Sequence, residues 1–473
     1  MATKCTFKRG IHIPERKDRT TGKDAELVPT PKQVVIPVTQ HLGAPNKAIV
    51  AVGDAVKRGQ VIADGAAPGP MTVPVHASIS GIVKKIEPRM VSNGTDGPCI
   101  VIEADPSIEG DVFMEPLCKN EFWDAETFKV SKEDALKRIH DAGIVGMGGA
   151  GFPAHVKLNP PKGSVIDYVI ADAAECEGYL TTDEAAIRAK ADTIILGMSI
   201  LMYITRFESP NVKGIFAMED NKEKYTPIIE LAIDKAHMRD KIEVKLCKTK
   251  YPQGGEKMLI TAVTGREVPS AALPSAAGCI VQNVGSLLAI GEAFYLGRPL
   301  IKRGLTVSGG ACGHPRNIVA PIGTLLTDLP ADYLQIDNSK LAKIIFGGPM
   351  MGTAVPHAAI PVQKNTSGIN FLTAEETYDT LESDCIRCGR CLKNCSCRLY
   401  PVLMNNALEA GDLDEAASIG LMDCIECGAC TFNCPARIRL VQRFRVGKFN
   451  LRNHLAAKQA AAKAKEEAAK AKA

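Results

Sequence analysis

The sequence predicts a multidomain α/β protein: a small β domain, a parallel α/β unit, a second small β domain and a helical, cysteine-rich end. Three observations predict it. A chain of 473 residues is too long for one hydrophobic core. Between residues 126 and 299, strand-like and helix-like runs alternate, which argues for a parallel sheet flanked by helices. Eight of the 16 cysteines form two matching runs between residues 385 and 434.

Residues 1–30 are polar, rich in Lys, Arg and Thr, and read as an extended N-terminal arm. Residues 31–125 hold short apolar strands punctuated by glycine and proline: Gln33–Val38, Lys47–Val50, Gln60–Ala63, Gly81–Ile86 and Cys99–Glu103. The run "AVGDAVKRGQVIAD" and the later "VPVHASISGIVKKIE" resemble the barrel-sandwich hybrid of biotinyl and lipoyl domains. Those domains carry a cofactor on a hairpin lysine. No lysine stands around Pro68–Thr72, so a structural or docking role is expected.

In residues 126–299, Ser131 with Glu133 and Asp134 marks a helix start, and Ala135, Leu136 and Ile139 form its apolar face before Gly143 ends it. Strands are predicted at Asp167–Ala171, Lys213–Met218 and Ile242–Cys247, and helices at Glu184–Ile204 and Lys224–Met238. Residues 300–370 return to short strands and glycine turns, the pattern of a small β-grasp (SLBB-like) domain. Residues 371–445 contain the cysteine runs. Residues 446–473 are rich in alanine and lysine and read as a solvated helix or frayed end.

A formal charge of +4 gives no sign of nucleic-acid binding. Met1–Gly10 is polar and basic with no apolar run behind it, so no secretory signal is expected there. The most apolar stretch, Thr193–Ile204, is too short to span a bilayer and is interrupted by Gly197 and Ser199. The expectation is a soluble chain, at most peripheral to a membrane.

The first cysteine run places Cys385, Cys388, Cys391 and Cys395 at C-x2-C-x2-C-x3-C spacing, and Cys424, Cys427, Cys430 and Cys434 repeat it. That doubled spacing holds a pair of [4Fe–4S] clusters, with the fourth cysteine of each run reaching across to the other cluster. The expected sets are therefore Cys385, Cys388, Cys391 and Cys434 on one cluster, and Cys424, Cys427, Cys430 and Cys395 on the other. Zinc sites more often use two C-x2-C pairs, and thiols this dense would mispair as disulfides. Pro435 follows Cys434, but Ser396 follows Cys395 and Cys397 comes next. Cys397 thus competes with Cys395, which spacing favours. Iron-bound thiolates point to a reducing cytoplasm. The remaining cysteines are scattered and read mostly as small buried hydrophobes.

Gly146, Gly148, Gly149 and Gly151 fall within six positions between a helix and the α/β segment. They free the backbone for close ligand approach, so bare N–H groups can meet a phosphate or a flavin ring, with Lys157 adding a cation. The loop does not fit G-x-x-x-x-G-K-[ST], which disfavours phosphoryl transfer. Asp172, Glu175 and Glu177 follow the first strand of the sheet, Tyr251 to Glu256 join a strand to a helix, and Asn283 to Ser286 precede another helix. Strand ends of this kind bind ligands in open α/β folds, although each set alone also reads as a turn or a cap.

"GMGGAGFPAHVKL", "AAECEGYLTTDE", "YPQGGEK" and "GCIVQNVGSLLAIGEA" resemble the flavin-binding, NADH-oxidising subunit of respiratory complex I. With "FKRGIHIPERKD", the sandwich-hybrid segment, "GGPMMG" and two clusters at the C-terminal end, the chain is more similar to the RnfC family of Rnf electron-transport complexes, from residue 5 to about 450. The resemblance implies that Gly146, Gly148, Gly149, Gly151 and Lys157 hold FMN, with Phe152 near the nicotinamide. It implies polar contacts around the flavin from Asp172, Glu175 and Asn283, and help from Glu177, Tyr251 and Glu256 in placing flavin or nucleotide. Met147 stands where complex I has arginine, Asp172 where it has asparagine, and Gly178 where both families usually have proline. An ionised Asp172 would disfavour the anionic reduced flavin.

The resemblance further implies an NADH-linked oxidoreductase that passes electrons between NAD(H) and ferredoxin or partner subunits. FMN converts a hydride into single electrons for the clusters, with no side chain needed as general acid or base. Its partners would be other subunits of a membrane-bound, ion-translocating complex, on the cytoplasmic face, with the chain peripheral. Arg437, Arg439, Arg443, Arg445, Lys448 and Arg452 would face a partner or anionic lipid, or be merely solvated. Two alternatives are a flavin-free iron–sulfur wiring subunit and the flavin subunit of a soluble bifurcating hydrogenase or formate dehydrogenase.

Overall fold

Seven short strands follow the N-terminal segment and close into the first β domain because their apolar residues alternate. The computed structural model describes residues 4–65, 71–377 and 380–470, so most of the expected hairpin tip at Pro68–Thr72 lies outside the described residues. After β1 (Ala25–Leu27) come β2 (Gln33–Pro37), β3 (Asn46–Ala48), β4 (Ala55–Val56), β5 (Val61–Gly65), β6 (Val75–His76), β7 (Gly81–Met90) and β8 (Asp96–Ala104). They form a four-stranded sheet in the order β2-β8-β7-β4 facing a three-stranded sheet in the order β3-β5-β6. The antiparallel register sets Val34 opposite Ile102 and Ile36 opposite Ile100. A two-residue period then sends all four inward, and all four are fully buried.

The α/β unit starts with α1 (Lys132–Asp141), capped by the Ser131 hydroxyl, which accepts from the Asp134 N–H. It continues through α2 (Ala154–Lys157), β9 (Tyr168–Ala173), α3 (Thr182–Thr205), β10 (Lys213–Glu219), α4 (Thr226–Lys235), β11 (Ile242–Cys247), α5 (Glu256–Thr264), β12 (Cys279–Asn283) and α6 (Val284–Tyr295). The sheet is parallel throughout, in the order β11-β10-β9-β12. From β9 the chain winds outward to β11 and then returns to β9's other side, so the strand order reverses between β9 and β12. Ligands of open α/β sheets bind outside the strand ends at such a reversal.

Thr193–Ile204, predicted as too short to span a bilayer, lies within α3, and among the described residues no helix is long and apolar enough to cross a membrane. Its apolar character serves burial instead. α3 packs on α6 by close backbone approach: a Cβ on Gly197 would collide with the Leu287 carbonyl, and one on Gly291 with the Thr193 carbonyl. Replacing Gly197 by valine is expected to cost at least about 3 kcal/mol, the upper end of overpacking, because backbone must move. Urea unfolding followed by the emission of Trp123, the single tryptophan and part of this core, measures it.

The second β domain comprises β13 (Lys302–Ser308), β14 (Arg316–Pro321), α7 (Ala331–Leu334), β15 (Leu341–Phe346), β16 (Thr353–Val355), β17 (Gly368–Thr373) and α8 (Ala374–Thr377). Its sheet runs β1-β14-β13-β17-β15-β16. The N-terminal segment is thus extended, as expected, but built in: β1 is an edge strand here, parallel to β14.

The cluster domain consists of α9 (Arg390–Asn394), α10 (Pro401–Glu409), α11 (Leu413–Ser418), α12 (Ala429–Phe432) and α13 (Leu440–Lys470). The alanine- and lysine-rich tail continues α13 as far as Lys470. The two cysteine runs fold alike. Arg387 and Glu426 have φ of 54° and 57°, Gly389 and Gly428 70° and 78°, and Arg398 and Arg437 both 59°. Ser396 in place of a proline therefore leaves the left-handed turn three residues after Cys395 as it is three residues after Cys434.

Candidate redox site

The glycine loop lies at the β9/β12 reversal. Asp172 and Asn283, the ends of those strands, sit side by side in the ladder. A Cβ on Gly148 would stand 3.2 Å from the Asn283 Cβ. The loop is pinned at its base: the Gly146 N–H donates to Phe152 O (2.8 Å) and the Met147 N–H to Ser286 Oγ (2.9 Å). Both β domains hold its far side, through the Leu42 N–H on Gly151 O (3.0 Å) and Asn365 Nδ2 on Gly149 O (3.4 Å). At the crest, a Cβ on Gly149 would meet nothing within 4 Å. Rigid base and open crest make a cradle whose spare amides fit a phosphate or a flavin edge.

Arg303, from β13, is buried and donates to Met147 O (3.1 Å) and Thr366 O (2.9 Å), with a further contact to Met147 Sδ. Met147 is thus not a surface substitute for arginine but the seat of one supplied by another domain. Sequence reading missed Arg303, because nothing local marks a residue that acts 156 positions away.

Acidic groups gather beside the cradle. Asn283 caps α6 by accepting from the Gly285 N–H (2.9 Å), while its amide donates to Asp183 Oδ2 (2.8 Å). The Glu175 carboxylate accepts from the Asp183 N–H (2.8 Å) at the start of α3. Burial pushes the Asp172 carboxyl up to about 7, although it accepts from the Ala174 N–H. The negative charge expected there is therefore incomplete at neutral pH. Asp183 is raised as well, by burial and by Glu175.

Lys157, at the end of α2, pairs with Glu256 at the first position of α5. Gly255 caps α5 without a side-chain bond, so the amides of its first turn are free of a side-chain acceptor. Gln253, in the same "YPQGGEK" segment, is fully buried, and neither its Oε1 nor its Nε2 has a hydrogen-bond partner. A buried, unpaired amide is costly and fits a polar group arriving from outside the chain. Its position in the motif was the one available signal.

Glu177 and Tyr251 stand apart from the cradle. The Glu177 carboxylate accepts from the Met350 and Met351 N–H groups (3.0 and 2.9 Å), and burial still raises it to about 7. The Tyr251 hydroxyl donates to Cys427 O (2.7 Å). Tyr251, Cys176, Met350, Cys427 and Ala429 pack into one small core with Ile11. These residues form a seam between the sheet's strand ends and the second cysteine run.

The cysteines ring two cavities. One, of about 170 Å³, is lined by Cys385, Cys388, Cys391 and Cys434 with Ile386, Leu392, Val402 and Ile438. The other, of about 20 Å³, is lined by Cys395, Cys397, Cys424, Cys427 and Cys430 with Met404, Val441 and Phe444. Each cavity thus draws its fourth cysteine from the other run, and Cys397 is a fifth thiol at the second. The Leu399 N–H points at Cys395 Sγ (3.3 Å) and the Glu426 N–H at Cys424 Sγ (3.4 Å), as suits thiolates. Among the described residues no three His, Cys, Asp or Glu side chains gather tightly enough for a single metal ion. Four thiols around an apolar void fit a cubane instead. Cys385 and Cys388 are exposed, whereas the Cys424 run lies against the α/β unit.

The basic run is largely occupied within its own domain. Arg443 pairs with Glu382 and Glu409, Arg445 and Lys448 both pair with Glu426, and only part of the run remains to face a partner.

Residues 5–107 match the family model described as the RnfC barrel sandwich hybrid domain, residues 139–292 the Nuo51 FMN-binding domain, and residues 379–454 a 4Fe-4S dicluster domain. The RnfC-type component of the proton-translocating ferredoxin:NAD(+) oxidoreductase complex of Clostridium ljungdahlii is 43% identical over 400 residues, 85% of this chain and 84% of that one. Its counterpart in the Na(+)-translocating complex of Acetobacterium woodii is 41% identical over 84% of this chain and 86% of its own length. The counterpart in the ion-translocating oxidoreductase complex of Vibrio cholerae is 37% identical over 88% of this chain but 52% of its own length. A solved NAD+-reducing [NiFe]-hydrogenase superposes with a TM-score of 0.47 at 18% identity, over 67% of this chain and 62% of that one, too loosely to argue from. With such identity over most of its length, and with the glycine cradle and paired cysteine cavities in place, the chain belongs to the RnfC family of ion-translocating ferredoxin:NAD+ oxidoreductase subunits.

Proposed function

We propose that the chain is the NADH-binding, FMN-containing electron-transfer subunit of a membrane-bound, ion-translocating ferredoxin:NAD oxidoreductase, working between NAD(H) and ferredoxin or partner subunits. One observation carries this: a cradle at the β9/β12 reversal joined through Tyr251 to a cysteine-ringed cavity. Bound FMN and two [4Fe–4S] clusters supply the conversion of a hydride's electron pair into single electrons.

The chain's own residues bind and orient. Gly146, Gly148, Gly149 and Gly151 present amides, Lys157 offers a cation, and Asp172, Glu175 and Asn283 set the polar edge, with Phe152 at the mouth. Gln253 joins them as a buried amide awaiting a partner. Glu177 and Tyr251 act one step away, fixing the Cys427 loop against the sheet; Glu256 fixes Lys157. Cys385, Cys388, Cys391 and Cys434 hold the exposed cluster, which faces the partner, and Cys424, Cys427, Cys430 and Cys395 the inner one. The domains divide at residues 30, 125, 299, 370 and 445. NADH, ferredoxin and iron-bound thiolates all favour the cytoplasmic face of the membrane.

Anaerobic purification followed by iron and flavin analysis, then NADH titration under EPR, tests this. About eight irons, one FMN and NADH-reducible cluster signals are expected per chain. About four irons, or no flavin, would overturn the assignment.

A further inference from the structure

The N-terminal segment crosses the strand ends that carry the candidate flavin site, bonded at every stage. The Cys5 N–H donates to Leu246 O (2.8 Å), and Ile11 and Tyr251 exchange both backbone bonds (2.8 Å each). Glu15 O then accepts from the Tyr179 N–H (2.7 Å). Further on, Thr21 and the Gly22 N–H bond the Glu184 carboxylate, and β1 joins the second β domain. Between these anchors, Lys17 turns inward. Its ammonium is buried and donates to Glu175 O (2.6 Å) and Leu180 O (2.7 Å).

Those two carbonyls bracket a strained loop. Glu175 and Tyr179, neither of them glycine, have φ of 38° and 67°. Such backbone persists only where its surroundings over-determine it, and it clusters at functional sites. A strap needed merely to cover apolar surface would not bury an ammonium, since desolvating that charge is expensive. The loop is also wired to the cradle. Its Glu175 carboxylate holds the Asp183 N–H, Asp183 holds the Asn283 amide, and Asn283 lies against Gly148.

We propose that Lys17 is a positioning residue of the flavin site: carried in by the N-terminal strap, its ammonium clamps the strained Glu175–Leu180 loop and so sets Glu175, Asp183 and Asn283 beside the glycine cradle. The inference rests on the reading that this cradle holds FMN. It makes the strap, some 160 residues away in sequence, part of the cofactor site.

The test uses the full chain, stripped of flavin and titrated with FMN. Lys17→Met keeps the length of the side chain and removes the charge. It should weaken FMN binding at least tenfold while iron content stays that of the wild type. Lys17→Ala should behave likewise and regain affinity in propylammonium, but not in sodium chloride of equal ionic strength. Lys23→Ala, which alters an exposed strap lysine, should bind FMN as the wild type does. FMN binding unchanged in Lys17→Met, or lost in Lys17→Ala without recovery in propylammonium, overturns the proposal. Should neither variant fold, hydrogen exchange on the wild type decides. Amides of residues 4–22 and 174–181 should gain protection together when FMN is added, and protection of the loop without the strap sinks the idea. A wild-type chain that takes up no FMN fails differently, by removing the reading on which the proposal rests.

Discussion

Replacing Cys434 by alanine will remove the cluster on the Cys385 side and spare the one beside its own run. The paired cavities dictate this outcome, because Cys434 lines the cavity of Cys385, Cys388 and Cys391, and Cys395 lines the other. Iron should fall from about eight to about four per chain, and NADH should still reduce the remaining cluster. Alanine is preferable to serine, whose oxygen can itself bind iron. The inner cluster should survive because its cysteines lie against the α/β unit, with Tyr251 holding the Cys427 carbonyl. Transfer to an external acceptor should collapse, since the lost cluster is the one with exposed cysteines. If Cys434→Ala instead loses the signal that Cys427→Ala loses, ligation is not crossed. The same assay settles the fifth thiol: Cys395→Ala should lose the inner cluster and Cys397→Ala should keep it.

That crossing was legible in the sequence because cluster-binding loops are local. A cysteine at every third residue, with Gly389 and Gly428 free to take positive φ, folds the same way in both runs. The parallel sheet was legible for a similar reason, since each strand and helix announces itself within a dozen residues. Asp172, Asn283 and the four glycines could be nominated as strand ends and a loop. What no local pattern encodes is which distant group completes them. Lys17 and Arg303 look like ordinary basic residues in an arm and a strand, yet both are buried against carbonyls more than 150 positions away. Arg443, Arg445 and Lys448 look like a docking stripe, but their carboxylate partners come from elsewhere in the cluster domain. Tertiary partners decide the meaning of a charge, and a single sequence does not display them.

Asp172 offers the clearest case in which burial, not residue type, sets the chemistry. Its carboxyl titrates at about 7 in the folded chain against 3.8 for an exposed aspartate, chiefly through desolvation. Between about pH 4 and 7 the folded state therefore holds a proton that the unfolded state has released. Stability falls as pH rises through that window and levels off above it, by up to about 4 kcal/mol for a shift of about three units. Asparagine, the residue that complex I flavin subunits have here, keeps the oxygen that accepts from the Ala174 N–H (3.0 Å) and carries no charge to desolvate. Asp172→Asn should accordingly be more stable than the wild type at pH 8, by up to about that amount, and the advantage should vanish near pH 4. Urea unfolding of the flavin-free chain, read through Trp123 in the α/β core, measures the difference at each pH. Glu177 and Glu219, also raised to about 7 by burial, remain in both chains, so their slopes largely cancel in the comparison. A difference independent of pH would mean that Asp172 is solvated in the folded chain. A wild type more stable than the variant at pH 8 would mean that its charge is wanted there, held by a cation in the assembled site.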